Sequence, residues 1–266
     1  MPIGKKYWRA VLCLAALLAI QWMRAPESWD SIWQRKGAPH LVPTTVDDLI
    51  AIDGFDHTAG FINIMREYAS EVKLGKEDVL CDIGCGSGAF LHVLPRPKLA
   101  LCVDLSENLL RVSRRYIETY APGMRVLHLQ ADMTALHQIS PGFCDVVVVQ
   151  SVFQYLASTQ AARQAVSELR RIAKHRIYIF DVRDGSKEEY TRLRASAGLT
   201  SSTPHLFIPR SFWGSGWAIS EPAARTKQWQ YIAPFMYHVQ SSEQLVTNAS
   251  SGDNAGTHRG RYGYLW

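Results

Sequence analysis

Apolar and polar residues follow one another in a pattern that predicts buried strands separated by amphipathic helices. Apolar-rich runs of strand length, several of them β-branched, occupy residues 79–83, 99–103, 125–129, 144–149 and 175–182. Between these runs, apolar residues recur at steps of three and four, which predicts helices over 106–118 and 158–173. Strands that alternate with helices in this way are typical of a doubly wound α/β sheet.

The same periodicities predict elements on both sides of this block. A short helix is expected over 44–52, a firmer one over 61–72 and another over 186–198. One or two closing strands are expected between residues 229 and 239. The sheet would then hold strands beyond the five of the central block.

Composition sets the predicted domain boundaries. Residues 26–43 carry three prolines and mixed charge, as a linker does, with docking on the surface as an alternative. Residues 241–266 form a polar tail, rich in serine, asparagine and glycine over most of its length. We therefore expect a single folded domain over residues 44–240.

The N-terminal pattern differs, because a basic stretch precedes an almost wholly apolar run. Lys5, Lys6 and Arg9 come before the run at residues 10–23, and no acidic residue occurs in this part of the chain. At about 1.5 Å per residue, the run spans about 21 Å as a helix, short of a hydrocarbon core about 30 Å thick. Residues 1–25 are therefore predicted to be a membrane anchor or a targeting segment.

Three interpretations of this segment stay open: a single-pass anchor, a mitochondrial presequence and a cleaved secretory signal. The anchor is favoured because residues 21–24 offer no small-residue cleavage site. The predicted location is accordingly a membrane, with the mitochondrial inner membrane favoured and the endoplasmic reticulum as second choice.

Length and charge limit the function classes. A chain of 266 residues accommodates one α/β domain with appendages. The net charge of +5 is mild, and the basic residues are scattered apart from short pairs such as Arg114 and Arg115. This distribution is typical of solvated helix faces and does not favour a nucleic-acid partner.

The cysteines predict neither a disulfide framework nor a metal site. There are five, an odd number, and Cys81, Cys85, Cys102 and Cys144 lie in or beside predicted core strands. Cys81 and Cys85 have no second pair of ligands near them in the sequence. We expect small buried thiols in a reducing setting, and no bound metal.

The first strand leads directly into a glycine-rich loop. Gly84, Gly86 and Gly88 alternate after it, which predicts a tight turn in which backbone lies against a ligand, with Ser87 capping a helix that follows. The spacing is G-x-G-x-G, whereas the dinucleotide fingerprint is G-x-G-x-x-G. Asp82 stands two residues before the first glycine, and a carboxylate there suits a ligand with an ammonium group better than a pyrophosphate.

This stretch resembles motif I of the class I S-adenosylmethionine (SAM)-dependent methyltransferases, an acidic residue followed by x-G-x-G-x-G. The resemblance implies a mostly parallel, doubly wound seven-stranded sheet with an antiparallel edge, and SAM as cofactor. It also implies that Asp82 and the loop Gly84–Gly88, with Cys85, hold the methionine end of SAM.

Later strand ends supply the rest of the predicted cofactor site. Asp104 ends the second strand, twenty residues beyond Gly84, where a carboxylate can accept hydrogen bonds from a ribose diol; the position also fits NAD. By the resemblance, Asp132 would lie near the adenine amino group and Met133 against the ring. Leu105, which directly follows the second strand, and Gln150, which directly follows the fourth, complete the set of predicted cofactor residues.

The segment after the fourth strand corresponds to motif IV of the family. Its sequence, Gln-Ser-Val-Phe-Gln-Tyr-Leu over residues 150–156, lacks the Asn-Pro-Pro-Tyr type found in several adenine and glutamine-amide methyltransferases. It looks more like the small-molecule or lipid methyltransferases. For a hydroxyl or amine acceptor, His57, Tyr155 and His205 are candidate bases, with a purely structural role as the alternative.

Two functions follow. The first is a membrane-anchored SAM-dependent methyltransferase acting on a small molecule or lipid. The second is a methyltransferase-like accessory subunit of a membrane protein complex, held by neighbouring subunits and with little turnover.

Overall fold

The computed structural model describes residues 28–37, 42–54, 61–185, 187–196, 205–222 and 236–241. Within them, seven strands form one sheet in the order β3-β2-β1-β4-β5-β7-β6. The strands are β1 Val79–Ile83, β2 Leu99–Asp104, β3 Val126–Gln130, β4 Cys144–Gln150, β5 Ala173–Arg183, β6 Trp217–Ser220 and β7 Met236–Ser241.

The sheet is mixed, and its larger part is parallel. Strands β1 to β5 pair in parallel, whereas β7 is antiparallel to β5 and β6 is antiparallel to β7. The predicted mostly parallel, seven-stranded α/β sheet is confirmed. Strand β6 was not predicted, because Trp217 is buried and the three residues after it are exposed, so no alternation marks the strand.

The helices are α1 Trp29–Lys36, α2 Val46–Ile52, α3 Phe61–Glu71, α4 Glu107–Tyr120, α5 Thr159–Ile172 and α6 Lys187–Ser196. Local chemistry explains where several of them begin. Ser106 and Ser158 each accept a hydrogen bond from a backbone N–H of the first turn. Thr45 and Asp48 form a reciprocal capping box at the start of α2. Apart from α1, each helix falls where the periodicity predicts one.

The helix predicted directly after the glycine loop is wrong. Only a single 3₁₀ turn, Phe90–His92, forms there. Pro95 disfavours helical backbone at the residue before it, which leaves too few residues after Gly88 for an α-helix. Ser87 is fully buried and caps nothing; its hydroxyl donates to the Leu49 carbonyl at 3.1 Å and to Asp53 at 2.9 Å.

Helix α1 lies inside the stretch predicted to be a linker, and it packs against the start of α4. Gln34 Nε2 donates to the Leu105 carbonyl at 3.1 Å, and Ser106 Oγ donates to the Trp33 carbonyl at 3.2 Å. A Cβ added at Gly37 would lie 2.5 Å from backbone atoms of α4, so the two elements touch backbone to backbone. Docking on the surface was the predicted alternative for this stretch, but a helix was not predicted.

The core has two layers, one on each face of the sheet. In the second layer Cys81 and Cys144 form a disulfide, with their Cα atoms 5.7 Å apart. The expectation that these two cysteines are free thiols is therefore wrong. They are 63 residues apart in the sequence, so only the pairing of β1 with β4 brings them together. Cys85 and Cys102 are buried free thiols, as expected.

In the part of the chain that the structure describes, no helix has the length and apolar character needed to cross a bilayer. The predicted anchor at residues 1–25 lies outside the described residues, as does most of the predicted tail. Both stay predictions.

Candidate active site

The site lies at the carboxyl ends of the parallel strands. Strand β1 pairs with β2 on one side and β4 on the other, which is the switch point where open α/β sheets bind their ligands. A cavity of about 610 Å³ opens there, within the range of small-molecule sites. Loops after β1, β2, β3 and β4 line it, together with α1 and the segment that begins at His205.

The backbone N–H groups of the glycine loop all donate hydrogen bonds to acceptors within the protein. The N–H groups of Gly84 and Cys85 both donate to the Val103 carbonyl, and that of Gly88 donates to the Cys85 carbonyl. The remaining two donate to carboxylates, Gly86 to Asp104 at 2.8 Å and Ser87 to Asp53 at 2.8 Å. A phosphate needs such N–H groups as donors. The loop therefore does not suit the pyrophosphate of a dinucleotide.

Three carboxyl groups surround this loop, the fully buried Asp82 and the half-buried Asp53 and Asp104, and we call them the acid cluster. Burial raises the pKa of Asp53 to about 7, against two hydrogen bonds from Ser87, and burial with the two neighbouring acids raises the pKa of Asp82 to about 8. Burial also raises the pKa of Asp104, although backbone N–H groups oppose the shift. A cationic ligand bound beside the cluster would therefore favour the ionised form of its carboxyl groups.

The acid cluster also contains an unsatisfied atom. Asp82 is 1% exposed, and its Oδ2 has no hydrogen-bond partner among the described residues. Lys36 is the cation that acts on Asp53, and burial lowers the pKa of this lysine. Buried carboxylates without a full set of partners are costly. The chemistry of the cluster consequently fits a ligand that brings positive charge.

The second predicted group lines the cavity beside the loop. Asp104 accepts the N–H groups of Gly86 and Ser106, one on each carboxylate oxygen, at 2.8 Å each. Leu105 follows it with an exposed side chain. Its carbonyl accepts from Gln34 and Gln130, so α1 and β3 both hold this corner.

The third predicted group lies on the far wall. Asp132 is exposed at the cavity edge, and its Oδ1 accepts both the N–H and the hydroxyl of Thr134 at 2.8 Å. Met133 is buried and lines the cavity. Gln150, at the end of β4, also lines it. The cavity therefore brings together residues from three separate strand ends.

Four aromatic side chains line a further part of the cavity, which we call the aromatic wall. It consists of Trp29, Trp33, Tyr155 and His205. The Trp29 ring centroid is 4.6 Å from that of Tyr155 and 4.7 Å from that of His205, and Trp33 packs edge-on against Tyr155 at 5.0 Å. Two of the three predicted catalytic residues thus lie side by side. The third, His57, is outside the described residues.

Several residues that line the cavity were not predicted from the sequence, and three predicted residues do not line it. Asp53, Trp29 and Trp33 line the cavity but were not predicted to do so. The two tryptophans are four residues apart, a spacing that places them on one helix face and could have signalled α1. Three predicted residues support the loop without lining the cavity: Asp82, Cys85 and Gly88.

Comparison with known proteins was made at three levels. Residues 81–180 match the model of the family described as methyltransferase domain. No curated protein matches the chain.

Among solved structures, the magnesium protoporphyrin IX methyltransferase of Synechocystis PCC 6803, with bound SAH, is similar at 17% identity and a TM-score of 0.51, over 79% of this chain and 91% of that chain. Geranyl diphosphate C-methyltransferase of Streptomyces coelicolor A3(2) is similar at 13% identity and a TM-score of 0.54, over 82% of this chain and 100% of that chain. A putative methyltransferase in complex with the Haloferax volcanii Trm112 activator gives 17% identity and a TM-score of 0.50, over 76% and 99%. At these identities the likeness is one of fold.

Proposed function

We propose that this chain, whose residues 81–180 match the methyltransferase-domain family model, is a SAM-dependent methyltransferase that methylates a small apolar or lipid acceptor bound against the aromatic wall. The observation that carries this proposal is that carboxyl groups of the acid cluster and the aromatic wall line one and the same cavity. SAM, the cofactor, supplies a methyl group on a sulfonium, which makes the donor highly reactive. The protein then has mainly to align the two molecules and exclude water.

The acid cluster would hold the cationic methionine end of SAM. SAM carries an ammonium and a sulfonium. The N–H groups of Gly86 and Ser87 are already paired with the carboxylates of Asp104 and Asp53, so this part of the cavity offers negative charge and not free N–H donors. Gly84, Gly86 and Cys85 would shape this end through their backbone. Asp104 and Leu105 would take the ribose.

The adenine would lie on the far wall. We assign its amino group to Asp132 and its ring to Met133, with Gln150 at the boundary between cofactor and acceptor. Gly88 and Asp82 would act from behind the loop, since neither lines the cavity.

The acceptor would lie on the aromatic wall. Flat or isoprenoid apolar groups gain from packing against such rings, and Tyr155 and His205 would be polar groups beside the acceptor. The two similar methyltransferases act, by their descriptions, on magnesium protoporphyrin IX and geranyl diphosphate, which supports a small-molecule acceptor. His57 stays a predicted third contributor.

The accessory-subunit alternative would be favoured by a cavity filled with the chain's own aromatic side chains. The cavity instead keeps about 610 Å³ of space, which supports turnover. Association with a neighbouring subunit remains compatible with an active enzyme, since one similar methyltransferase is in complex with an activator protein.

Membrane attachment through residues 1–25 is part of the proposal. An anchored enzyme would meet lipid acceptors at the surface that holds them. Of the two predicted locations, the endoplasmic reticulum gains support from the Cys81–Cys144 disulfide, because its lumen is oxidising. The mitochondrial inner membrane remains the first choice on the N-terminal pattern. Carbonate extraction of the full chain and of a chain beginning at residue 26 tests the anchor, and release of the full chain would contradict it.

Calorimetric titration with SAM and SAH tests the cofactor site. We expect one molecule of either to bind, and Gly86→Ala to abolish binding, because Gly86 has a φ of +55° and a Cβ there would lie 2.6 Å from Asp53 Oδ1. Gly214→Ala is the matched control, since Gly214 has a φ of +67° but nothing within 4 Å of the added Cβ. Absence of wild-type binding at millimolar SAM would overturn the proposed function.

A further inference from the structure

Two residues with unusual backbone lie side by side behind the cavity. Ser151 follows β4 with a φ of +58°, and Asp181 lies in β5 with a φ of +62°. Among the described residues, no other non-glycine residue has a positive φ. Such conformations are energetically unfavourable for non-glycine residues and concentrate at functional sites. Ser151 lines the cavity, and its hydroxyl donates to Asp181 Oδ2 at 2.5 Å.

Asp181 is a fully buried carboxylate with several donors. Tyr68 donates to its Oδ1 at 2.8 Å, and Gln150 donates to its Oδ2 at 3.2 Å. His238 Nε2 lies 3.7 Å from Oδ1, an ion pair rather than a hydrogen bond. Burial alone would raise the pKa of Asp181, but His238 and the donated hydrogen bonds bring that pKa below its ordinary value.

The charge on His238 supports the ionised form of Asp181. Burial lowers the pKa of His238, but Asp181 and Glu71 outweigh burial and raise it to about 9. Glu71 Oε2 lies 3.9 Å from His238 Nδ1 and is half exposed. At neutral pH an imidazolium therefore faces the carboxylate from β7, while the hydroxyls of Tyr68 and Ser151 face it from α3 and from the end of β4.

We propose that Ser151, backed by Asp181, binds the proton-bearing group of the acceptor and removes its proton, which makes the acceptor a hydroxyl or an N–H compound. This inference rests on the proposed function. As the acceptor atom forms its bond to the methyl carbon, the C–S bond breaks and sulfur keeps the electron pair. The acceptor proton moves to Ser151 Oγ, and the Ser151 proton moves to Asp181 Oδ2. Ser151 is the catalytic residue, and Asp181 is a positioning residue that acts through it.

Charge conservation in the cavity favours this step. The sulfonium loses its positive charge as Asp181 loses its negative charge, so the net charge of the buried site does not change; His238 keeps its positive charge, with Glu71, 3.9 Å away, as its remaining counterion. Gln150 donates to both Ser151 and Asp181 and so fixes their mutual geometry.

The experiment compares two probes on the SAH-loaded protein: 2-naphthol, which has a transferable proton, and 2-methoxynaphthalene, its methyl ether. We expect wild type to bind 2-naphthol about tenfold more tightly, although the ether is the more hydrophobic molecule. Ser151→Ala and Asp181→Asn should each remove most of this preference. Asn tolerates positive φ, and Ser151→Gly serves as the second variant because glycine relieves the backbone conformation.

The ratio between the probes separates a chemical role from a structural one, since a merely structural loss would weaken both probes alike. Ser113→Ala is the matched control: Ser113 is also buried, its hydroxyl pairs with His128 at 3.1 Å, and it does not line the cavity. It should keep the tenfold preference.

The same titrations distinguish this inference from the proposed function. Failure of wild type to bind SAH would overturn the proposed function. SAH binding without a preference for 2-naphthol, or with no binding of either probe, would overturn the role of Ser151 and Asp181 alone.

Discussion

The affinity for SAM should rise with pH, because the acid cluster holds protons that a cationic ligand must displace. The perturbation is a change from pH 6 to pH 7.5, a range in which the ammonium of SAM stays mostly protonated. Asp53 is the member of the cluster to follow, since it lines the cavity and burial raises its pKa to about 7. SAM should bind mainly the form in which Asp53 is ionised.

The magnitude follows from that pKa. With a pKa of about 7, roughly 9% of Asp53 is ionised at pH 6 and roughly 76% at pH 7.5. If binding requires the ionised form, the association constant rises about eightfold, or about 1.2 kcal/mol. Any contribution from Asp82, whose pKa is about 8, would steepen the rise.

Isothermal titration at each pH is the assay, with 5′-methylthioadenosine as the neutral control ligand. This compound keeps the adenosine part of SAM but lacks the ammonium and the sulfonium, so its affinity should stay constant across the range. Asp53→Asn should weaken SAM binding and flatten its pH dependence. Asp47→Asn, an exposed position at the other end of α2, should change neither.

A flat or falling SAM affinity between pH 6 and pH 7.5 in wild type would refute the reasoning. An equal rise for 5′-methylthioadenosine would refute it as well, because the pH dependence would then not come from the ligand's charge.

Three further predictions concern stability. Gly37→Ala should displace α1 and lower the free energy of unfolding, measured by urea titration, by about 1–3 kcal/mol, because the added Cβ would lie 2.5 Å from the α4 backbone. Gly123→Ala is the control and should not lower the free energy of unfolding, since the nearest atom to its added Cβ is 3.6 Å away. Reduction of the Cys81–Cys144 bond, which spans 63 residues, should cost about 4 kcal/mol in the same assay, and no loss would contradict a folded-state disulfide. The ligand-free protein should lose stability from pH 6.5 to pH 9. In this range the carboxyl groups of the folded acid cluster still bind protons that the unfolded chain has already released. His238 adds to the loss, because it stabilises the fold only while it is protonated and its pKa in the folded protein is about 9. Stability that rises over this range in chemical denaturation would contradict the pKa directions.

The strands and most helices were predictable because their signals are local. Periodicity marks β1 to β5 and the helices between them, and capping serines mark the starts of α4 and α5. Asp104, Asp132 and Gln150 lie at or directly after strand ends, so their position beside one cavity could be predicted from the strand boundaries.

Several of the failures share one physical cause, contact between distant parts of the chain. Ser87 carries a capping signal, yet it bonds to Asp53, which lies 34 positions earlier. Nothing local pairs Cys81 with Cys144 across the sheet. Ser151 and Asp181 owe their role to a backbone conformation that no residue pattern announces.

The position of α1 has a consequence for how the enzyme would meet its acceptor. Ser28 and Trp29 already line the cavity, and the predicted anchor ends at residue 25. Three residues of fully extended chain reach about 10 Å. An anchored segment would thus act as a very short tether, holding the aromatic mouth within one headgroup layer of the bilayer. A lipid acceptor could then slide from the membrane onto the tryptophans without crossing bulk water, and lengthening the tether would separate enzyme from substrate without altering a single cavity residue.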